Sequence, residues 1–198
     1  MAESELKRKT IRGFFWSSVE SILSQGLGIV FGIFLARILS PDEFGILGMI
    51  TIFISVSQVF VDSGLSQSLI RKQNCTTADY STVFWVNMVM GLLFYLIIWI
   101  AAPYIAAFYK NDQLVSVTRI TSLSILIVSV TLIQQTILTK DVDFKTITKS
   151  SLAGTVVSGL ASLLLAFYGY GVWSLVWRSI INQAVRSAVL WAHNRWKP

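Results

Sequence analysis

Long apolar runs, each near the length of a membrane span, recur along the whole chain and are separated by short polar stretches. A helix needs about 20 apolar residues to cross a hydrocarbon core of about 30 Å, so this pattern predicts transmembrane helices. The runs are continuous rather than alternating at every second residue, which argues against membrane-spanning strands. We therefore expect an all-α membrane protein, a bundle of six transmembrane helices between polar segments at 1–12 and 193–198. The predicted spans cover residues of about 13–39, 43–69, 82–108, 114–138, 149–167 and 172–192.

Composition supports this prediction, because 54% of the residues are hydrophobic and only 13% are charged. Soluble domains carry about 25% charged residues, so this set of residues cannot form an ordinary water-facing surface. The net charge of +6 and the pI of 9.6 do not indicate nucleic-acid binding, since no basic patch is interleaved with stacking aromatic residues. The cations instead collect between the predicted spans.

The distribution of these cations predicts how the bundle is oriented. Segments rich in Lys and Arg face the cytoplasm, and with the N-terminus inside only Arg37 and Lys110 fall in outside loops. Both termini are therefore predicted to be cytoplasmic. The cations of the predicted cytoplasmic segments are Lys7, Arg8, Lys9, Arg12, Arg71, Lys72, Lys140, Lys145, Lys149, Arg195 and Lys197.

Four of the six predicted helices carry a face of polar or small residues, which a helix that only anchors a protein does not need. Thr51, Ser55, Gln58 and Asp62, for example, fall within an arc of about 60° on the second span. Such a face either packs against another helix or lines a water-filled cavity. For the serine-rich face of the fifth span we favour packing.

Charged side chains inside a bilayer are costly and usually line an aqueous path or pair with one another. For Glu20, Asp62 and Arg178 we favour a cavity, whereas Arg119 and Arg186 are equally well explained as anchors that reach the membrane surface. The predicted substrate-cavity residues are Arg178, Asn182, Arg186, Gln25 and Gln58. Glu20 and Asp62 are predicted to couple an ion or to form charge pairs.

Signals of catalysis or metal binding are weak. His193 is the only histidine and Cys75 the only cysteine, so a histidine-based metal site lacks ligands and no internal disulfide can form. Asp141 and Asp143 have the spacing of a metal-binding pair in nucleotide-sugar transferases, but they lie in a short turn with no soluble domain around it. No Walker A sequence is present. We therefore expect no metal, no cofactor and no enzymatic activity, and passage of a substrate is the favoured function.

Four stretches resemble, in the same order, the polysaccharide exporters called Wzx-type flippases, of the MOP exporter superfamily. The first resembles their first periplasmic turn, the second the cytoplasmic end of their second helix, and the last two the starts of their fifth and sixth helices. The resemblance runs from about Thr10 to Pro198 and is strongest to the branch associated with colanic and teichuronic acid export. The four stretches are Leu35-Ala36-Arg37-Ile38-Leu39-Ser40-Pro41-Asp42-Glu43-Phe44-Gly45, Val61-Asp62-Ser63-Gly64-Leu65 with Ile70-Arg71, Asp143-Phe144-Lys145, and Gly169-Tyr170-Gly171-Val172-Trp173-Ser174-Leu175-Val176.

The resemblance implies more than the residue pattern alone. It implies a bacterial inner-membrane transporter that moves undecaprenyl-pyrophosphate-linked oligosaccharides between leaflets by alternating access, through a cavity between two helical bundles. In that reading Arg178 attracts the pyrophosphate, since a guanidinium can hold a phosphate through several donors. The expected partners are the lipid-linked substrate, membrane lipids and a second helical bundle, with no nucleic acid.

This chain is less than half as long as the proteins it resembles, which have twelve or more helices. We expect it to be the N-terminal half, either as a fragment, as one product of a split gene, or as a half-transporter that dimerises, and we expect it to be inactive alone.

Three other classes of function stay open from the sequence. An ion-coupled multidrug exporter or a flippase for the peptidoglycan precursor belongs to the same superfamily, and a drug exporter should show an aromatic cavity with little charge. A membrane-embedded polymerase or transferase would need a large loop with several carboxylates or histidines. A non-catalytic subunit that scaffolds polysaccharide assembly would not need polar faces on its helices.

Overall fold

The computed structural model describes residues 2–62, 64–72, 74–194 and 196, and for residues 2–15 and Ser17 it describes only the course of the backbone. These residues are almost entirely helical. The helices are α1 (Ala2–Ile38), α2 (Pro41–Asp62), α3 (Leu65–Arg71), α4 (Thr77–Tyr109), α5 (Gln113–Thr121), α6 (Leu123–Lys140), α7 (Phe144–Phe167) and α8 (Val172–His193).

Five segments of the described chain are long and apolar enough to cross a membrane, and this confirms the predicted class of an all-α membrane bundle. They are Ser18–Ile38, Pro41–Arg71, Thr77–Tyr109, Gln113–Lys140 and Phe144–Phe167. The sixth predicted span coincides with α8, which has 22 residues and is also long enough. It is more polar than the others because it carries Arg178, Asn182, Gln183 and Arg186. That α8 crosses the membrane stays a prediction.

Two of the predicted spans are interrupted. The second consists of α2 and α3, because Gly64 between them adopts a left-handed conformation with φ of 72°, which glycine tolerates and most residues do not. The fourth consists of α5 and α6, which meet at Ser122, whose hydroxyl donates to the carbonyl of Arg119 at 2.8 Å. A short polar side chain that bonds to its own backbone competes with regular helix at this point.

Several helices begin earlier than the predicted spans, because a polar side chain caps the first turn. Thr76 and Asp79 form a reciprocal capping box at the start of α4, so this helix begins at Thr77 rather than near residue 82. Asp143 accepts from the backbone N–H of Thr146, so α7 begins at Phe144 rather than near residue 149. These turns extend the helices beyond the apolar runs that the sequence pattern detects.

The helices pack in a row in which α1 lies against α7, α7 against α8, α8 against α6, and α6 against α4. Helix α2 packs against this row and contacts α4, α6 and α8. Two of the contacts are close because glycine removes a side chain. A Cβ on Gly91 of α4 would lie 2.6 Å from Cβ of Ser129 on α6, and a Cβ on Gly154 of α7 would lie 2.9 Å from the backbone oxygen of Asn182 on α8.

At one end of the bundle the α1–α2 turn meets the α7–α8 turn. Ser40 caps α2 by a capping box, in which its backbone N–H donates to Glu43 Oε2 at 2.7 Å and the N–H of Glu43 lies 3.4 Å from Ser40 Oγ. The other carboxylate oxygen of Glu43 lies against Gly171, where it would meet an added Cβ. Below these turns a cluster of apolar side chains closes this end, and it is formed by Leu35, Leu39, Phe44, Leu47, Leu163, Ala166 and Leu175.

At the opposite end Lys140, the last residue of α6, fixes the segment between α3 and α4. Its ammonium group donates to the carbonyl oxygens of Lys72 at 2.7 Å and of Leu69 at 3.3 Å, and it lies 2.7 Å from the sulfur of Cys75. Trp196 lies beside α4 and α6, where its backbone oxygen accepts from Gln134 at 3.4 Å. At each end of the bundle, a side chain therefore contacts the backbone of a neighbouring segment, Glu43 at one end and Lys140 at the other.

Candidate functional site

A cavity with a volume of about 430 Å³ lies between α2, α8 and the junction of α5 and α6. Its wall changes character along its length. The end nearer Pro41 is apolar, because Phe44, Leu47 and Leu175 belong to the cluster that closes that end of the bundle. The remaining lining residues are mostly polar: Thr51, Ile54, Ser55, Gln58, Thr121, Ser124, Arg178, Ser179, Asn182 and Gln183.

Arg178 is the charged residue in this lining, and it is half-buried. One of its guanidinium nitrogens, Nη2, donates to the backbone carbonyl of Gly28 on α1 at 3.1 Å. A guanidinium has five N–H donors, and in the part of the chain that the structure describes this is the one hydrogen bond it makes. Arg178 therefore presents a positive charge and unused donors to the cavity, without a carboxylate within the lining to neutralise it.

The amides and hydroxyls around Arg178 are held in place to different degrees. Asn182 donates from Nδ2 to Ser158 Oγ on α7 at 3.3 Å, and Ser158 is 1% exposed. Thr51 and Thr121 donate to backbone carbonyls of their own helices at 2.7 Å. Gln58, in contrast, makes no side-chain hydrogen bond to any described residue. Its amide is free to bind a ligand or water.

A second, smaller cavity of about 50 Å³ lies between α6 and α8. Its lining includes Gln135, Gln183 and Arg186, and Gln183 also lines the larger cavity. Arg186 Nη2 donates to Gln135 Oε1 at 3.0 Å, while its Nε is buried and finds no acceptor among the described residues. Two arginines of α8 thus face two adjoining cavities.

The structure brings together three of the five predicted cavity residues, Gln58, Arg178 and Asn182, around the larger cavity. Arg186 lines the smaller one. Gln25 is exposed and lines neither cavity, because the neighbouring Ser24 faces α7 and lies within hydrogen-bond distance, 3.1 Å, of Ser151 Oγ. This contact turns the polar face of α1 partly toward α7.

The two acidic positions also lie outside both cavities. Asp62 is the last residue of α2, and its Oδ1 is buried with no hydrogen-bond partner among the described residues. Glu20 lies on α1 and forms no ion pair within 4 Å with any described residue. An ion-coupling role for either carboxylate stays a prediction.

Six polar lining residues, Thr121, Ser124, Thr131, Gln135, Ser179 and Gln183, were not predicted. Ser179 and Gln183 stand one position after Arg178 and Asn182, so the spacing of the polar row on α8 could have indicated them. Ser124 and Gln135 lie on α6, whose polar residues show no single face in the sequence. Only the packing of α6 against α8 shows that they reach the cavities.

Comparison with known proteins gives consistent results over nearly the whole chain. A membrane protein from the cps region of Klebsiella pneumoniae, itself uncharacterized, is 30% identical over 83% of this chain. The teichuronic acid biosynthesis protein TuaB of Bacillus subtilis is 26% identical over 98% of the chain, and the succinoglycan biosynthesis transport protein ExoT of Rhizobium meliloti is 27% identical over 96%. No solved structure matches the chain significantly.

The chain spans only 36% of the length of the Klebsiella protein, 40% of TuaB and 39% of ExoT. Residues 34–198 match the family described as polysaccharide biosynthesis protein. This match covers all four stretches that suggested the resemblance, including the two turns that meet at Glu43 and Gly171. The chain is a multi-pass helical membrane protein that belongs to the polysaccharide biosynthesis protein family.

Proposed function

We propose that this chain forms one wall of a pathway that carries undecaprenyl-pyrophosphate-linked oligosaccharides across the bacterial inner membrane. The observation that carries the proposal is the position of Arg178, a cation in a cavity of about 430 Å³ within an apolar bundle. A guanidinium placed there favours an anionic group, and its planar set of donors suits phosphate. The amides and hydroxyls beside it suit the hydroxyl groups of a sugar.

The residues that line the cavity also favour a transporter of phosphate-linked saccharides over a drug exporter. A cavity for apolar drugs is expected to be lined by aromatic side chains, and Phe44 is the aromatic residue in this lining. A charged and amide-rich wall is better matched to a phosphate-linked saccharide. The peptidoglycan precursor has the same general chemistry, so the surface-polysaccharide substrate rests on the relatives, two of which are named for teichuronic acid and succinoglycan biosynthesis.

The proposal includes a second helical bundle. Thr51 and Ser55 line the cavity and are nevertheless exposed, so the bundle leaves part of a polar wall uncovered. Polar groups facing hydrocarbon are unfavourable, and a partner that covers this wall would also complete the pathway. The partner is a second bundle of the same kind, supplied by the same gene, by another gene or by a second copy of the chain. Both termini of this bundle are proposed to face the cytoplasm.

Complementation of a flippase-deficient bacterium tests the proposal. We expect surface polysaccharide to return when the chain is expressed with a second bundle taken from a relative, and not when it is expressed alone. Arg178→Ala should reduce export more than Arg119→Ala, because Arg119 lies outside both cavities and packs at 4.1 Å over the ring of Trp99. Equal export from the two variants, at matched amounts in the membrane, would contradict the role given to Arg178.

A further inference from the structure

Ser158 is a polar side chain of α7 that contacts the wall of the larger cavity without lining the cavity itself. It is 1% exposed, and its Oγ lies 3.3 Å from Asn182 Nδ2 and 3.3 Å from the backbone oxygen of Thr155. A serine hydroxyl has one proton to donate and two lone pairs that accept. Both contacts are satisfied at once only if the proton points to the Thr155 carbonyl and the Ser158 oxygen accepts from Asn182.

This contact fixes the direction of the Asn182 amide. An asparagine side chain carries its NH₂ group and its carbonyl oxygen on opposite sides, so a partner that holds one of them also orients the other. Among the described residues Asn182 has no other side-chain hydrogen-bond partner, and its Oδ1 is not fully buried. Because Asn182 lines the larger cavity while its Nδ2 is turned to α7, its Oδ1 is open to that cavity as an unused acceptor.

Three hydroxyls of the same lining have also used their protons. Thr51, Thr121 and Ser179 donate to backbone carbonyls of their own helices, at 2.7, 2.7 and 2.8 Å. Their oxygens keep lone pairs that accept hydrogen bonds. The wall around Arg178 therefore holds a set of acceptors, whereas the guanidinium of Arg178 has only donors.

The spacing of Arg178 and Asn182 describes a ligand with two kinds of group. The two residues are four positions apart on α8, so they are neighbours on one face and about 6 Å apart along the helix axis. A ligand that reaches both carries an anionic acceptor for the guanidinium and, at that range, a hydroxyl donor for Asn182 Oδ1. A sugar joined directly to a phosphate carries both groups. Glycerol phosphate carries them as well, on a short flexible chain, so it has to be tested separately.

We infer that Ser158 is a positioning residue, which holds the amide of Asn182 so that Oδ1 accepts a hydroxyl group of the sugar next to the phosphate. This inference rests on the proposed function, and it names the group that recognises the sugar. Ser158 touches no substrate and acts through Asn182. Because Ser158 is buried, water does not compete with it for the Asn182 amide, and the acceptor stays oriented when the cavity is filled with water.

Isothermal titration calorimetry on the full 198-residue chain in nanodiscs tests this inference by comparing glucose 1-phosphate with methyl phosphate, which lacks the sugar hydroxyls. Glucose 1-phosphate should bind more tightly. Ser158→Ala and Asn182→Leu should each lower this preference by roughly 2- to 10-fold, the effect of one hydrogen bond. Ser162→Ala is the matched control and should keep the preference, because Ser162 is equally buried on α7 but bonds to the carbonyl of Gly159.

The ratio of the two affinities separates positioning from a purely structural role. If the bond between Ser158 and Asn182 only held α7 against α8, Ser158→Ala would lower stability and leave the ratio unchanged. Glycerol 1-phosphate is the third ligand, and we expect it to bind less tightly than glucose 1-phosphate. Equal binding of these two ligands would overturn the assignment of the acceptor to a sugar.

Three further results would also overturn the inference. They are equal affinity for glucose 1-phosphate and methyl phosphate in the unmodified chain, no binding of either, and a full preference in a Ser158→Ala chain with unchanged circular dichroism. If Ser158→Ala does not fold, Asn182→Leu decides, and a preference that survives it overturns the inference. Export in the complementation assay is measured separately, so loss of export on Arg178→Ala would leave the proposed function standing in each case.

Discussion

Gly154 does not line the larger cavity, but Gly154→Ala should displace Asn182, which does. Gly154 lies on α7 and faces α8, where an added Cβ would lie 2.9 Å from the backbone oxygen of Asn182. Ordinary contacts of a Cβ begin at 3.4 Å, so Gly154→Ala pushes the two helices apart locally by some tenths of an ångström. The hydrogen bond from Asn182 to Ser158, already 3.3 Å long, would then be stretched beyond hydrogen-bonding range.

The expected cost follows from three contributions. Overpacking destabilises by about 1–3 kcal/mol. Loss of one hydrogen bond adds about 0.5–1.5 kcal/mol. Alanine favours a helix over glycine by about 1 kcal/mol, which offsets part of the loss. The free energy of unfolding should therefore fall by roughly 0.5–3.5 kcal/mol.

Reversible unfolding of the purified chain by SDS in mixed micelles, followed by circular dichroism, measures this change. Gly48→Ala on α2 is the matched control, because nothing lies within 4 Å of its added Cβ and only the gain in helix propensity remains. A Gly154→Ala chain as stable as the Gly48→Ala chain would refute the close packing of α7 against α8 at Asn182.

Two further predictions concern the ends of the bundle. Gly171→Ala should lower the free energy of unfolding more than Gly169→Ala in the same assay. Both positions have positive φ, 55° at Gly171 and 79° at Gly169, but only at Gly171 does the new Cβ meet Glu43. Equal losses of stability in the two variants would contradict that contact. Backbone strain from a side chain at a position of this kind costs about 1–3 kcal/mol by itself. Cys75 should react with a membrane-impermeant maleimide in inverted vesicles and not in spheroplasts. A cysteine introduced by Lys110→Cys, in a Cys75→Ser background, should react in spheroplasts and not in inverted vesicles. Labelling of both cysteines from the same side would contradict the predicted orientation.

The sequence predicted the parts of the site that lie on strongly periodic helices. Gln58 belongs to a narrow polar arc on α2, and Arg178 and Asn182 are four residues apart on α8, so the rotation of each helix is determined by its own pattern. Once those faces turn inward, the three side chains have to meet. The structure accordingly places all three around one cavity.

The polar and small residues of α1 spread over an arc of about 140°, and this width leaves the rotation of that helix undetermined. They are Ser17, Glu20, Ser21, Ser24, Gln25, Gly28 and Gly32. The rotation instead depends on contacts far away in sequence. The ring of Phe31 fits against Gly159, where no side chain interferes, and Ser24 reaches Ser151. These contacts direct α1 toward α7, so Gln25 stays exposed. A pattern read along one helix cannot contain this information.

The interruption of the second span depends on a single glycine, which the pattern of hydrophobic residues does not reveal. Gly64 adopts the left-handed conformation between α2 and α3, yet the apolar pattern continues across it. Similarly, the two amides Gln135 and Gln183 become partners of one cavity only through the packing of α6 on α8. The smaller cavity could therefore not be predicted from the sequence.

Photocrosslinking of the substrate to the cavity wall tests the central claim most directly. Ser55 lines the cavity and is exposed, so it is replaced by a photoreactive residue. The chain is expressed together with a second bundle, in cells that make lipid-linked oligosaccharide. The same residue in place of Ile97, an exposed position of α4 that lines neither cavity, is the control. We expect the lipid-linked oligosaccharide to be captured from position 55 and not from position 97, and capture to fall on Arg178→Ala. Equal capture from both positions, or none from position 55 while export continues, would contradict the account.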